Sequence, residues 1–238
     1  MTTPITIVVP VGPQPEYKLY LGECLDSIQE QMLPEDQIIV VDDQAKLETR
    51  HYPEGGRNFW VETDPEQIKS GSLVIWRTPW LVGCADAWNF GVSFSRNDLC
   101  LLMGSDDKLL PGCLDALREA YEQNNGEAAW YNVTLQIDEG PDTGIHPVFN
   151  NAAAVTKKLW ALTGGFPPSA FAAPDALLIS ILIKHMPERL IQVKEGQPLY
   201  WARHHDAQDT QRQAARFYRE VKQIRNKETL RWQKPEWT

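Results

Sequence analysis

The stretch Leu99 to Gly112, LCLLMGSDDKLLPG, constrains this chain more than any other. Its first five residues, Leu99-Cys100-Leu101-Leu102-Met103, are apolar without interruption. A run so short and so uniformly apolar suits a strand buried on both faces, as in a parallel sheet covered by helices. It stops at Gly104-Ser105-Asp106-Asp107, and Lys108-Leu109-Leu110-Pro111-Gly112 then leads into a helical pattern from Cys113 to Tyr121. Two adjacent carboxylates therefore fall at the C-terminal end of a buried strand, where open α/β sheets bind ligands. Crowded carboxylates repel and need a cation, and hard divalent ions take oxygen ligands. The same two residues also suit a turn that caps the next helix, and both readings stand at this point.

The rest of the chain repeats the pattern. Ile5 to Val11 is a β-branched run ending in Gly12-Pro13, a buried strand that turns sharply. Tyr17 to Gln31 places Leu21, Cys24, Leu25 and Ile28 at helical spacing, and Pro34 stops it. Gln37 to Val41 is a second buried strand, ending at Asp42-Asp43. Strand, helix, strand over this length is a βαβ unit with parallel pairing. Residues 44–71 form a long polar connection, followed by a strand over 72–77 and a helix over 83–95. Asn89 and Gly91 are poor residues for a helix interior, so one of them is expected to serve close packing or a ligand. A helix follows over 111–123, a strand over 128–137, a loop over 138–146, and a strand with a short helix over 151–162. The cluster Thr163-Gly164-Gly165-Phe166-Pro167-Pro168 breaks the chain, and Asp175 then reads as the N-cap of an apolar helix over 176–185. Two short strands are expected over 190–193 and 198–202, then Arg203-His204-His205-Asp206, a charged helix over 211–230 and a loosely packed tail.

At 238 residues the chain can bury one sizeable core. Its net charge of -9 argues against an electrostatic grip on nucleic acid or anionic membrane. The N-terminus has no basic region and too short an apolar run for a signal peptide, and no stretch approaches the roughly eighteen apolar residues of a membrane span. Cys24, Cys84, Cys100 and Cys113 form no CxxC pair and sit in apolar contexts, so reduced structural thiols and a cytoplasmic location are expected.

Four stretches, in order, resemble the family 2 glycosyltransferases of the GT-A fold. ITIVVPVG, YLGECLDSIQEQ and QIIVVDDQ look like that family's opening strand, first helix and second strand with paired Asp. GCADAWNFGVSFSRNDLCLLMGSDD resembles its Ala-Arg-Asn-x-Gly helix leading to the metal-binding DxD strand. ALTGGFPPSAFAAPDALL is similar to its Gly-Gly-Phe turn and Glu-Asp pair, and YWARHHDAQDT to its late Arg-x-His segment. Motifs gain weight from context, and these span roughly 5–210 in register. Four positions depart from the pattern: Gly104 stands at the first acid of the DxD, Trp88 at the Arg, Pro174 at the Glu, and Gly12 at an aromatic or Asn.

The resemblance implies a Rossmann-like, mostly parallel central sheet flanked by helices, with a C-terminal helical extension. It divides the chain into a GT-A domain over 1–210, with a nucleotide-binding half over 1–107 and an acceptor half over 108–210, and an extension over 211–238. It implies an inverting, metal-dependent transfer of a sugar from a nucleotide sugar, a UDP-sugar first, to an acceptor hydroxyl. The acceptor is open: a saccharide, a protein, a lipid-linked intermediate or a modified nucleobase. Pro10, Val11, Gly12, Asp42 and Asp43 would hold the nucleoside, and Asn89 would contact the nucleotide or its diphosphate. Asp106 and Asp107 would bind manganese or magnesium against the diphosphate, with His205, or otherwise His204, as a further ligand. Asp175 would be the general base. Two other classes remain. A nucleotidyltransferase would want a basic, Gly-rich loop after the first strand, and Gly12-Pro13-Gln14-Pro15-Glu16 has no Lys or Arg. A non-catalytic nucleotide-sugar or carbohydrate-binding module would keep the fold and lose the acid at Gly104.

Overall fold

The computed structural model describes residues 2–47, 61–62, 72–137, 144–146, 153–166 and 174–204. The uniformly apolar runs become strands. In chain order the elements are β1 (Ile5–Val11), α1 (Pro15–Gln29), β2 (Gln37–Asp42), β3 (Val61–Glu62), β4 (Leu73–Arg77), α2 (Cys84–Phe94), β5 (Leu99–Leu102) and β6 (Lys108–Leu109). There follow α3 (Cys113–Gln123), β7 (Trp130–Ile137), β8 (Gly144–His146), β9 (Ala153–Thr156), α4 (Lys157–Thr163), α5 (Pro174–His185), a 3-10 turn (Pro187–Arg189) and β10 (Leu190–Ala202). This is the mixed α/β layering, with a mostly parallel sheet, that the sequence implies.

Among the described residues one sheet runs in the order β3-β4-β2-β1-β5-β9-β7-β10-β6, with β8 paired to β7. It passes without a break from the first half of the chain into the second. β1 lies between two parallel neighbours, with Val8 opposite Ile39 of β2 and Leu102 of β5. β4 extends the parallel set beyond β2, whereas β9 runs antiparallel between β5 and β7. The chain moves outward from β1 through β2 and β4, then returns to the other flank of β1 at β5. A reversal of this kind opens a crevice at the carboxyl ends of the strands.

Both faces of the sheet are covered, and period-two alternation along β1 shows it. Ile7 and Val9 join one core with Leu21 and Ile28 of α1 and Leu114 and Leu117 of α3. Val8 points the other way, into a core with Trp88 and Val92 of α2, Leu159 of α4 and Leu178 of α5. Gly91 allows α2 to come this close, because a Cβ there would stand 2.1 Å from Cγ1 of Val8. The packing half of the Asn89/Gly91 expectation therefore belongs to Gly91. A buried ion pair locks the far end of the sheet: Arg118 of α3 meets Asp36, whose other oxygen accepts the Ile5 N–H at 2.8 Å.

Several details differ from the sequence reading, and short strands lie in the expected loop over 138–146 (β8) and in the expected connection over 44–71 (β3). The expected strands over 190–193 and 198–202 are one strand, β10, whose register against β7 shifts between Val193 and Tyr200. Lys194 and Gly196 at positive φ let the chain step out and rejoin. Asp175 lies inside the first turn of α5 rather than before it. Cys84 is exposed at the start of α2, whereas Cys24, Cys100 and Cys113 are buried as expected. The expected helix over 211–230 lies outside the described residues.

Candidate functional site

The crevice has two walls. The carboxyl ends of β1, β2 and β4 form one, with Val11 opposite Asp42 and Asp42 opposite Arg77. The turn from β5 to β6, residues 103–107, forms the other.

The first wall carries the pair Asp42-Asp43. The Asp42 carboxylate is fully buried; it accepts the N–H groups of Lys46 and Leu47 at 3.0 and 2.9 Å and pairs with Arg77 at 2.8 Å. Asp43 accepts the Thr78 hydroxyl at 3.0 Å, the Val82 N–H at 2.8 Å and the Gly83 N–H at 2.7 Å. The expectation assigned both carboxylates to a nucleoside. In this structure their hydrogen bonds shape the protein around the crevice, Asp42 holding the turn after β2 and Asp43 the loop that leads into α2. Pro10 and Val11 are buried, so only Gly12 of that trio reaches the surface. The Tyr17 ring of α1 covers it, 3.3 Å from where a Cβ at Gly12 would stand.

Asn89 has a structural task as well. Its amide nitrogen donates to the Phe166 carbonyl at 3.0 Å and its oxygen accepts the Phe166 N–H at 2.9 Å. This two-way bond ties α2 to the Gly164-Gly165-Phe166 turn, where both glycines sit at positive φ, 78° and 76°. A Cβ on Gly165 would lie 2.4 Å from the Asn89 oxygen. Two motifs that are 77 residues apart in sequence thus form one joint. Phe166 enters a nest of Trp88, Trp130 and Trp160, at centroid distances of 5.4, 6.3 and 5.0 Å. Trp88, at the position of the family's Arg, is buried there with its indole N–H unpartnered, as is that of Trp130.

The second wall holds the acid pair. Asp106 is 8 % exposed, and its carbonyl accepts from Arg203 Nε at 2.9 Å. Asp107 is gripped from the end of β10: the Tyr200 hydroxyl donates to Oδ2 at 2.6 Å, and the N–H of Arg203, the residue after the strand, donates to Oδ1 at 2.9 Å. The Tyr200 hydroxyl also accepts the Gly104 N–H at 3.0 Å. Burial, and then the charge of Asp106, raise the Asp107 carboxyl to about 8 against the pull of these two donors. Burial and the same two carboxylates push the Cys24 thiol well up, and its sulfur contacts the Gly104 carbonyl at 3.5 Å.

A cationic and aromatic brace surrounds this wall. The Arg203 guanidinium stacks on Tyr20 at 3.9 Å and Trp201 at 4.6 Å and pairs with Glu23 at 2.9 Å. Lys108 sits over the other face of the cluster, 4.4 Å from the Trp201 ring and 3.4 Å from Glu23. Burial alone would raise the Glu23 carboxyl, but Arg203 and Lys108 together hold it below its ordinary value. Tyr200, Arg203, Tyr20 and Glu23 are the site residues that sequence reasoning missed. All four lie in stretches that carry the resemblance, YLGECLDSIQEQ and YWARHHDAQDT, but the alternation that points Tyr200 inward emerges only with the register of β10.

Among the described residues no three His, Cys, Asp and Glu side chains form a cation cage. The donor set nevertheless suits a hard divalent ion completed by ligand oxygens, since magnesium-like ions are commonly held by one or two carboxylates plus phosphates. Burial first and then the Asp106 charge raise Asp107, and a bound cation would favour its ionised form. His204 is half-buried, His205 lies outside the described residues, and Asp175 is half-buried in the first turn of α5. No described helix is long and apolar enough to cross a membrane.

Residues 6–173 match the family model described as glycosyl transferase family 2. Among solved structures, residues 1–349 of TarS from S. aureus superpose with a TM-score of 0.62 at 15% identity, covering 84% of this chain and 60% of that one. The same protein in complex with UDP-GlcNAc superposes at 0.62 and 15% identity, over 87% of this chain and 60% of that one. Its complex with UDP gives 0.61 at 13% identity, over 93% and 64%. At such identity the likeness is one of fold, and this chain spans less than two thirds of those structures' length. No curated protein matches the sequence.

Proposed function

The chain belongs to glycosyl transferase family 2, and from that premise we propose that it transfers a sugar from a UDP-sugar to an acceptor hydroxyl in one inverting, divalent-metal-dependent displacement. The observation that carries this reading is the carboxylate pair Asp106-Asp107 at the switch-point crevice, with Asp107 held by Tyr200 of β10 and by the Arg203 N–H just beyond it. Neighbours of the same fold bind UDP-GlcNAc and UDP, which supports a uridine donor.

In this reading Asp106 is the principal ligand of manganese or magnesium, and Asp107 is fixed beside it. The ion, when bound, offsets the charge on the departing diphosphate. Gly12 and the Tyr17 ring border the nucleoside, while Asp42 and Asp43 give the crevice its shape. Asp175 takes the proton of the acceptor hydroxyl as its oxygen attacks the anomeric carbon and the diphosphate leaves from the opposite face. His205 is proposed as a further ligand. The charge of -9 and the exposed acids disfavour a polyanionic acceptor.

A panel of nucleotide sugars tests the reading by thermal shift, with and without manganese. A ligand of the folded state raises the melting temperature by mass action. A UDP-sugar should do so more strongly with the metal, and slow donor hydrolysis should follow. Asp106→Ala should abolish both while the variant remains folded. Binding without any turnover would favour a carbohydrate-binding module, the reading that Gly104 in place of an acid supports; indifference to chelation would remove the metal.

A further inference from the structure

We propose that Tyr200 is the positioning residue of the acid pair, and that residue 104 is glycine because Asp107 is clamped against it. The inference rests on the reading of Asp106-Asp107 as the diphosphate and metal site. The Tyr200 hydroxyl is a two-way link, accepting from the Gly104 N–H at 3.0 Å and donating to Asp107 Oδ2 at 2.6 Å. The Arg203 N–H holds Oδ1 at 2.9 Å. Both oxygens of Asp107 are thus fixed by Tyr200 of β10 and by Arg203 just past its end, and the plane of its carboxylate with them.

The clamp explains the glycine. Gly104 is not at positive φ, so its backbone does not demand glycine. A Cβ there would lie 2.6 Å from Asp107 Oδ2 and 2.9 Å from Asp106 Oδ1. The end of a mobile Asp could swing away from such a contact, but this one would have to break its bond to Tyr200. An acid at 104 therefore has no room while the clamp holds. The chain presents an adjacent pair of carboxylates, braced by a phenol and a main-chain N–H, in place of a spaced pair. Partners that orient metal-binding groups in this way are typically worth about 10–100-fold in metal affinity or activity.

Calorimetry of uridine diphosphate binding, with and without manganese, tests the proposal on the full chain. Tyr200→Phe should reduce the affinity gained from manganese about 10–100-fold and leave the metal-free affinity unchanged. A purely structural tyrosine would lower the melting temperature and leave that gain intact. Gly104→Ala presses the same carboxylate from the opposite side and should show the same loss, which keeps the test open if Tyr200→Phe does not fold. A stability cycle supplies an arm that needs no ligand. Gly104→Ala should destabilise the wild type about tenfold more, in its folding equilibrium, than it destabilises Tyr200→Phe, where the Oδ2 that faces Gly104 has lost its phenol partner and only the Arg203 N–H still holds Asp107. Additive costs, or a Gly104→Ala variant that keeps the full manganese gain, would overturn the clamp. A wild type that binds no uridine diphosphate under any condition would overturn the donor reading and this inference with it. A wild type that binds while Tyr200→Phe binds equally well would overturn this inference alone.

Discussion

Replacing Asp43 by Ala separates a carboxylate that reads a ligand from one that builds the wall beside it. The substitution removes three hydrogen bonds, from the Thr78 hydroxyl at 3.0 Å and the N–H groups of Val82 and Gly83 at 2.8 and 2.7 Å. A hydrogen bond to a charged group contributes about 1.5–3 kcal/mol, and a buried donor left without a partner costs a similar amount. Val82 and Gly83 are half-buried, so water can reach their N–H groups once the carboxylate is gone, which discounts the sum. The expected loss is about 2–4 kcal/mol of folding stability, with the 78–83 loop released and α2 freed at its N-terminus. Thr78→Val removes one bond of the three and should cost about 1 kcal/mol. Urea denaturation measures both variants, and calorimetry with uridine diphosphate measures the ligand. An Asp43→Ala variant as stable as wild type, within about 0.5 kcal/mol, that has lost nucleotide affinity would refute the reasoning and return the carboxylate to the nucleoside.

Asp175→Asn should keep donor affinity and lower transfer by about 10²-fold or more; steady-state rates close to wild type would leave the reaction without this base. Gly91→Ala should destabilise the chain by about 1–3 kcal/mol despite alanine's better helix propensity, because the added methyl meets Val8, and Val8→Ala in the same chain should recover most of it. Thiol labelling of the native chain at pH 8 should show one fast cysteine, Cys84, and four after unfolding. Burial pushes Cys100 and Cys113 up to about 12 and raises Cys24 well above its ordinary value, so their thiolates are scarce below that range. A second fast thiol would contradict the packing of α1, β5 or α3.

The central strands were legible because their sequence signal is binary: a run such as Ile5–Val11 can lie only where both faces are dry. Asp106 and Asp107 were legible for the same reason, since a polar pair that ends such a run must emerge at an edge of the core. The protein partners of Asp42, Asp43 and Asn89 were not. An acid at a strand end looks alike whether its oxygens face a ligand or a main-chain N–H, and only the fold of the 78–83 loop distinguishes the two. β3, β6 and β8 are two or three residues long, too short to carry a periodicity. Tyr200 was hidden by distance. Nothing near it in sequence announces an acid 93 residues away.

That distance has a consequence for the order in which the molecule assembles. The βαβ unit of β1, α1 and β2 closes through contacts some 31 residues apart, such as Ile5 with Asp36. The grip on Asp107 spans 93 and 96 residues, and the pair of Arg203 with Glu23 spans 180. Loop closure over such lengths comes late, since short-range contacts form at less entropic cost. During synthesis Asp106 and Asp107 therefore emerge nearly a hundred residues before the strand that fixes them. A nascent chain that has only just exposed its acid pair holds those carboxylates unbraced, and cation affinity should rise in a step when Tyr200 and Arg203 clear the ribosome. The last strand among the described residues is the one that braces Asp107.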